Sequence, residues 1–67
     1  MKINNIWAII PAYNEEKSIG SIIKETKRYI DKIIVVDDGS KDDTSKVAKE
    51  SNVFVLRHIV NLGKGAA

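Results

Sequence analysis

The sequence predicts an α/β fold in which the chain runs βαβαβ and the strands form one parallel sheet in the spatial order three, two, one. Two observations carry this reading. Short, continuous apolar runs recur three times, and the stretches between them place apolar residues at helical spacing. Continuous rather than alternating runs suit strands covered on both faces, as parallel sheets usually are. Strands alternating with amphipathic helices and joined by right-handed crossovers lie side by side in parallel.

The first run is Ile6-Trp7-Ala8-Ile9-Ile10, closed by Pro11. After Asn14, the residues Ile19, Ile22, Ile23, Tyr29 and Ile30 fall at helical spacing with Thr26 among them. Lys17, Lys24, Glu25, Lys27 and Arg28 mostly fill the other side, which predicts the first helix. Ile33-Ile34-Val35-Val36 is the second strand, stopped by the turn formers Asp37-Asp38-Gly39-Ser40. Ser40 is placed to cap a second helix with Asp43 three residues on; Thr44, Val47, Ala48 and Ser51 form its inner stripe and Asn52 ends it. Val53 to Leu56 make the third strand, and Asn61 to Ala67 read as a loop leading into a further helix. Crossovers of one hand put both helices on one face of the sheet. The opposite face, on which Val35 or Val36 is expected, is then uncovered.

A chain of 67 residues is short for a domain and buries only roughly 60% of its unfolded surface, so its stability is expected to be marginal. It has no cysteine to form a disulfide, and no His and Cys cluster suggests structural zinc. Ligand binding and self-association remain as sources of help. The net charge of +2 comes from interspersed acids and bases, and Trp7, Tyr13, Tyr29 and Phe54 are scattered rather than set along a basic face. This argues against a nucleic-acid reader. The apolar runs are too short to cross a bilayer and the N-terminus lacks the order of a signal peptide, so a cytoplasmic chain is expected.

Ligands of parallel sheets bind beyond the carboxyl ends of the strands, where Pro11 to Glu15, Asp37 to Ser40 and His58 to Gly65 converge. Asp37 and Asp38 have two readings there: ligand contacts, or a turn whose charge favours the helix N-terminus that follows. Pro11 followed by Asn14-Glu15-Glu16 is explained by propensity alone as a strand end and a helix start. Lys64 stands between Gly63 and Gly65, where backbone can approach a ligand closely and a point charge can neutralise diphosphate; a solvated loop lysine is the alternative. Gly63-Lys64-Gly65 follows the third strand rather than the first, which argues against a dinucleotide fingerprint. His58 has no second ligand at metal spacing and reads as structural. A receiver-like acidic pocket would need an Asp at the end of strand three, where Arg57-His58 stands.

Three ordered motifs, Pro11-Ala12-Tyr13-Asn14-Glu15, Asp37-Asp38-Gly39-Ser40 and Asn61-Leu62-Gly63-Lys64-Gly65-Ala66, resemble those of the inverting family 2 glycosyltransferases. The wording is most similar to the polyprenyl-phosphate sugar transferases, the dolichol-phosphate mannose synthase group. The resemblance implies that residues 1–67 are the N-terminal, nucleotide-binding half of a Rossmann-like GT-A domain, an incomplete domain. It also implies a UDP- or GDP-sugar donor and an acceptor such as a polyprenyl or dolichyl phosphate at the cytoplasmic face of a membrane. Pro11, Tyr13, Glu15, Asp37, Asp38 and Lys64 are the donor-site residues it implies. Tyr13 would offer a ring face for the base and Glu15 an acceptor for ribose hydroxyls. The Asp37 carboxylate is acceptor-only and suits the imide N–H of uracil or the N–H pair of guanine, but not the matching edge of cytosine; it is the expected chief base contact. The family's Mg²⁺- or Mn²⁺-binding acids and its general base have no counterpart in these motifs, so the 67 residues alone are expected to be inactive. The alternative is an independently folding, self-associating βαβαβ module without catalytic activity.

Overall fold

A computed structural model describes residues 3–58, which form β1 (Ile3–Ala12), α1 (Ile19–Lys27), β2 (Ile30–Asp37), α2 (Thr44–Glu50) and β3 (Phe54–Arg57). The three strands form one parallel sheet in the order β1-β2-β3, the arrangement expected from the crossover rule. The Asn61 to Ala66 motif, with Lys64, lies outside the described residues.

Cross-strand register sorts the side chains into two faces. Ile10, Val35 and Val55 stand in one row and Ala12, Asp37 and Arg57 in another. With Ile33 these rows meet Ile19 and Ile23 of α1 and Ala48 of α2, so both helices cover the same face and the core sits between them and the sheet. Rows Ile9–Ile34–Phe54 and Pro11–Val36–Leu56 belong to the other face. There Ile9 is 66% exposed, Phe54 65% and Leu56 59%, and the Trp7 and Phe54 rings meet with centroids 5.6 Å apart. The fully buried Val35 therefore belongs to the helix-covered face, and only Val36 to the open one, because successive strand residues alternate sides.

Several boundaries differ from the sequence reading. Pro11 lies inside β1 rather than ending it. Ala12 turns its carbonyl to β2, where it accepts from the Asp38 amide at 2.9 Å, so Pro11 points its missing donor to the free edge, where no ladder bond is lost. Tyr29 and Ile30 are not part of α1: the helix stops at Lys27, Tyr29 is exposed in the turn, and β2 starts at Ile30, paired with Ile3. The first helix also starts late, at Ile19, because Asn14 takes a left-handed φ of 53° and the amides of Glu15 and Glu16 are engaged by the neighbouring loop. The cap of α2 is Asp43 rather than Ser40, which is buried and committed elsewhere; Asn52, at φ 60°, closes the turn after α2 as expected. Among the described residues no helix is long and apolar enough to cross a membrane.

The two faces should respond differently to truncation. Ile33→Ala, in the core, is expected to cost roughly 2–5 kcal/mol in urea unfolding. Ile9→Ala, on the open face, is expected to change the stability of the monomer by under about 0.5 kcal/mol. Equal losses at both positions would contradict the one-sided core.

Candidate functional site

Strand alternation carries Asp37 onto the same face as Ile33 and Val35, beneath the helices, and its side chain is fully buried. The carboxylate is satisfied there. Oδ1 accepts from the Ser40 amide at 2.8 Å, and Oδ2 accepts from the Ser45 hydroxyl of α2 and from the Arg57 guanidinium of β3 at 3.0 Å. Arg57 also donates to the Ser45 hydroxyl and the Ser40 carbonyl. Burial by itself would raise the Asp37 carboxyl, yet the Ser40 and Ser45 hydrogen bonds and the Arg57 charge outweigh it and hold it below the usual carboxylate value. Gly39, at φ 79°, supplies the sharp bend that brings the Ser40 amide back to Asp37, a conformation that glycine adopts without strain.

The β1–α1 loop is bound to the β2–α2 loop by a second network. The Asn14 amide donates to Ser40 Oγ at 2.7 Å, and the Asn14 side-chain oxygen accepts from the Lys41 amide at 2.8 Å. The Glu15 amide donates to Thr44 Oγ1 at 2.7 Å. Glu16 repeats the reciprocal pattern: its amide donates to Asp42 Oδ2 at 3.2 Å and its carboxylate accepts from the Asp43 amide at 2.8 Å. Asp42 also accepts from the Thr44 amide and hydroxyl. Burial would raise Asp42, but the hydrogen bonds from Thr44 and the Glu16 amide lower it below its ordinary value.

On this frame a shallow depression of about 260 Å³ opens at the carboxyl edge of β1 and β2, lined by Pro11, Ala12, Tyr13, Glu15 and Asp38. Four of the predicted site residues, Pro11, Tyr13, Glu15 and Asp38, thus meet around one concavity. Tyr13 is half exposed, with its ring free to stack, and Glu15 accepts from the Ser18 hydroxyl at 2.9 Å while staying at the surface. Of the two adjacent aspartates, Asp38 lines this depression and Asp37 is held in the core network. Sequence reasoning did not find Arg57 and Ser45, although the register of Arg57 opposite Asp37 and the two-residue period from Ile33 to Asp37 carry the signal. The His58 ring Nδ1 stands 3.1 Å from Asp38 Oδ1.

Residues 7–67 match the family described as "Glycosyl transferase family 2". An uncharacterized protein of Methanocaldococcus jannaschii is 51% identical over 65 residues, which cover 96% of this chain and 27% of that protein. A UDP-N-acetylglucosamine–dolichyl-phosphate N-acetylglucosaminyltransferase of Methanococcus voltae is 39% identical over 80 residues, 92% of this chain and 32% of the relative. The human dolichyl-phosphate beta-glucosyltransferase is 39% identical over 77 residues, 88% of this chain and 24% of the relative. The chain spans about a quarter of the length of the curated relatives that it matches. No solved structure matches.

The Asp37 network sets an acid limit on stability. A carboxyl lowered in the folded state contributes stability that is fully present above its unfolded value of about 3.9 and is lost as pH falls through the lower folded value. Asp42 acts with the same sign. Unfolding midpoints are therefore expected to fall as pH drops below about 4. Asp37→Asn should lower stability at pH 7 by roughly 1.5–3 kcal/mol and flatten that acid dependence, read by urea titration at several pH values.

Proposed function

Because the chain belongs to glycosyl transferase family 2, we propose that it forms the nucleoside-reading part of an enzyme that moves a sugar from a nucleoside diphosphate to an acceptor, a polyprenyl or dolichyl phosphate. The observation that carries this reading is the depression at the carboxyl edge of the sheet, where Pro11, Tyr13, Glu15 and Asp38 converge. Asp38 is the base contact, an acceptor-only group for ring N–H donors; Tyr13 stacks on the base and Glu15 accepts from the ribose hydroxyls. Asp37, expected from its place in the sequence to read the base, acts one step back: it holds the Gly39 turn that presents Asp38. Lys64 is assigned to the diphosphate on the strength of the resemblance alone. The names of the Methanococcus voltae and human relatives support a lipid-phosphate acceptor. Such an acceptor goes with a place at the cytoplasmic face of a membrane.

The residues present do not fit the Mg²⁺ or Mn²⁺ that the family implies. Among the described residues no group of three or more acids or histidines is placed to hold a metal ion, and the Asp37 oxygens are already taken by protein donors. No step through a metal is assigned to these residues, and the 67 residues by themselves are proposed to bind donor nucleotide without transferring sugar.

Asp38→Asn is expected to weaken binding of the preferred nucleoside diphosphate by roughly 1.5–3 kcal/mol in calorimetry, the value of a hydrogen bond to a charged group, with the fold intact. Unchanged affinity would remove Asp38 from the site.

The exposed apolar face favours a second reading, in which the chain also self-associates. Trp7, Ile9, Val36, Phe54 and Leu56 form a continuous patch across all three strands, and among the described residues β1 leaves one sheet edge unpaired. A two-fold dimer would cover the patch. Sedimentation at micromolar concentration is expected to find dimers or larger species, with Val36→Lys shifting the equilibrium toward monomer. A folded monomer at every accessible concentration would overturn this reading.

A further inference from the structure

We propose that two copies of the chain pack open face to open face with their strands antiparallel, latched at both ends by an ion pair between Lys32 of one copy and Asp38 of the other. The inference deepens the self-association reading above and rests on it. The two-residue period that sets Ile34 and Val36 on the open face carries Lys32 toward its amino end and Asp38 to its carboxyl end. The Lys32 ammonium stands over the Trp7 ring, 5.8 Å from its centroid, and so belongs to that face. Asp38 extends the strand by one residue, its amide bonded to the Ala12 carbonyl, and its side chain is 63% exposed. The rows between them, Ile9–Ile34–Phe54 and Pro11–Val36–Leu56, hold no charge.

An apolar face with a cation at one end and an anion at the other complements a copy of itself in one orientation and repels it in the other. A two-fold axis along the strands would set Lys32 against Lys32 and Asp38 against Asp38. A two-fold axis across the strands, at the level of Val35, turns the second copy end for end. Strand β1 then lies over β1, row Ile9–Ile34–Phe54 meets row Pro11–Val36–Leu56, and each Lys32 comes over an Asp38. Packed sheets are about 10 Å apart, a gap that a lysine and an aspartate bridge together. Asp38 also meets the His58 ring at 3.1 Å, and a carboxylate accepts from more than one donor. The same carboxylate is the proposed base contact, so nucleoside and second copy compete for it.

Sedimentation equilibrium of the 67-residue chain tests this. Wild type should dimerise. Lys32→Glu and Asp38→Lys should each weaken the dimer by roughly tenfold, and the double reversal should recover most of the loss, which damage to the fold at either position would not do. The chain has no cysteine, so a short bis-maleimide reads the orientation directly, even where a charge variant fails to fold. In a mixture of Lys32→Cys and Asp38→Cys chains the two variants should be linked to each other, and neither to itself. Linking within Lys32→Cys alone, a dimer indifferent to both reversals, or a double reversal no tighter than the single ones overturns the antiparallel latch and leaves self-association standing. A folded monomer at every accessible concentration overturns both.

Discussion

A single buried carboxylate ties together the parts of this small protein that the sheet alone would leave separate. Asp37 ends the central strand, and its two oxygens accept from the following turn, from α2 and from β3. A charge in that position is tolerable only because every direction around it holds a donor, one of them the Arg57 guanidinium. The short helix α2 gains its anchoring from this contact through Ser45 as well as from Ala48 in the core. The Asp37–Ser45 bond thus adds to the Glu15–Thr44 and Glu16–Asp43 bonds that fix the start of this seven-residue helix, too short to hold its position by propensity alone.

The candidate site inherits its geometry from the same interaction. Asp37 holds the Gly39 turn, the turn places the Ser40 hydroxyl under the Asn14 amide, and Asn14 in its left-handed conformation turns the β1–α1 loop toward α2. Tyr13 and Glu15 flank Asn14, so the residues that line the depression are positioned by a chain of contacts that starts in the core. Polar side chains in the two loops thus serve the frame first. The polar or aromatic side chains left to line the depression are a smaller set at the surface: Tyr13, Glu15 and Asp38.

Much of the fold was legible in the sequence because the β-branched runs and the helical spacing of Ile19 and Ile23 act locally and agree with the chirality of crossovers. The strand order and the placement of both helices on one face followed from those two facts. Boundaries were harder. Ile30 fits a helical stripe and a strand equally well, and only its pairing with Ile3 decides between them. Pro11 looked like a stop because the edge position of β1, which spares its missing donor, is a property of the whole sheet. At the carboxyl edge, Pro11, Tyr13, Glu15 and Asp38 of the expected set line one depression, whereas the burial of Asp37 away from it was not foreseen. Counting by twos from Ile33 places Asp37 under the helices. Its partners Ser45 and Arg57 lie 8 and 20 residues downstream, where only tertiary structure brings them back.

The stitching of the two loops has a consequence for how such a site changes over evolutionary time. At Glu15 it is the backbone amide that binds Thr44, and at Asp38 the backbone amide that extends the sheet, so the bonds that hold the frame do not use these side chains. Tyr13 takes no part in the stitching bonds between the loops. Substitutions at these three positions change the lining of the depression while leaving the bonds beneath it in place. The chemistry of the rim is thereby uncoupled from folding at the level of individual atoms, and a lineage can vary these side chains without first losing the scaffold that displays them.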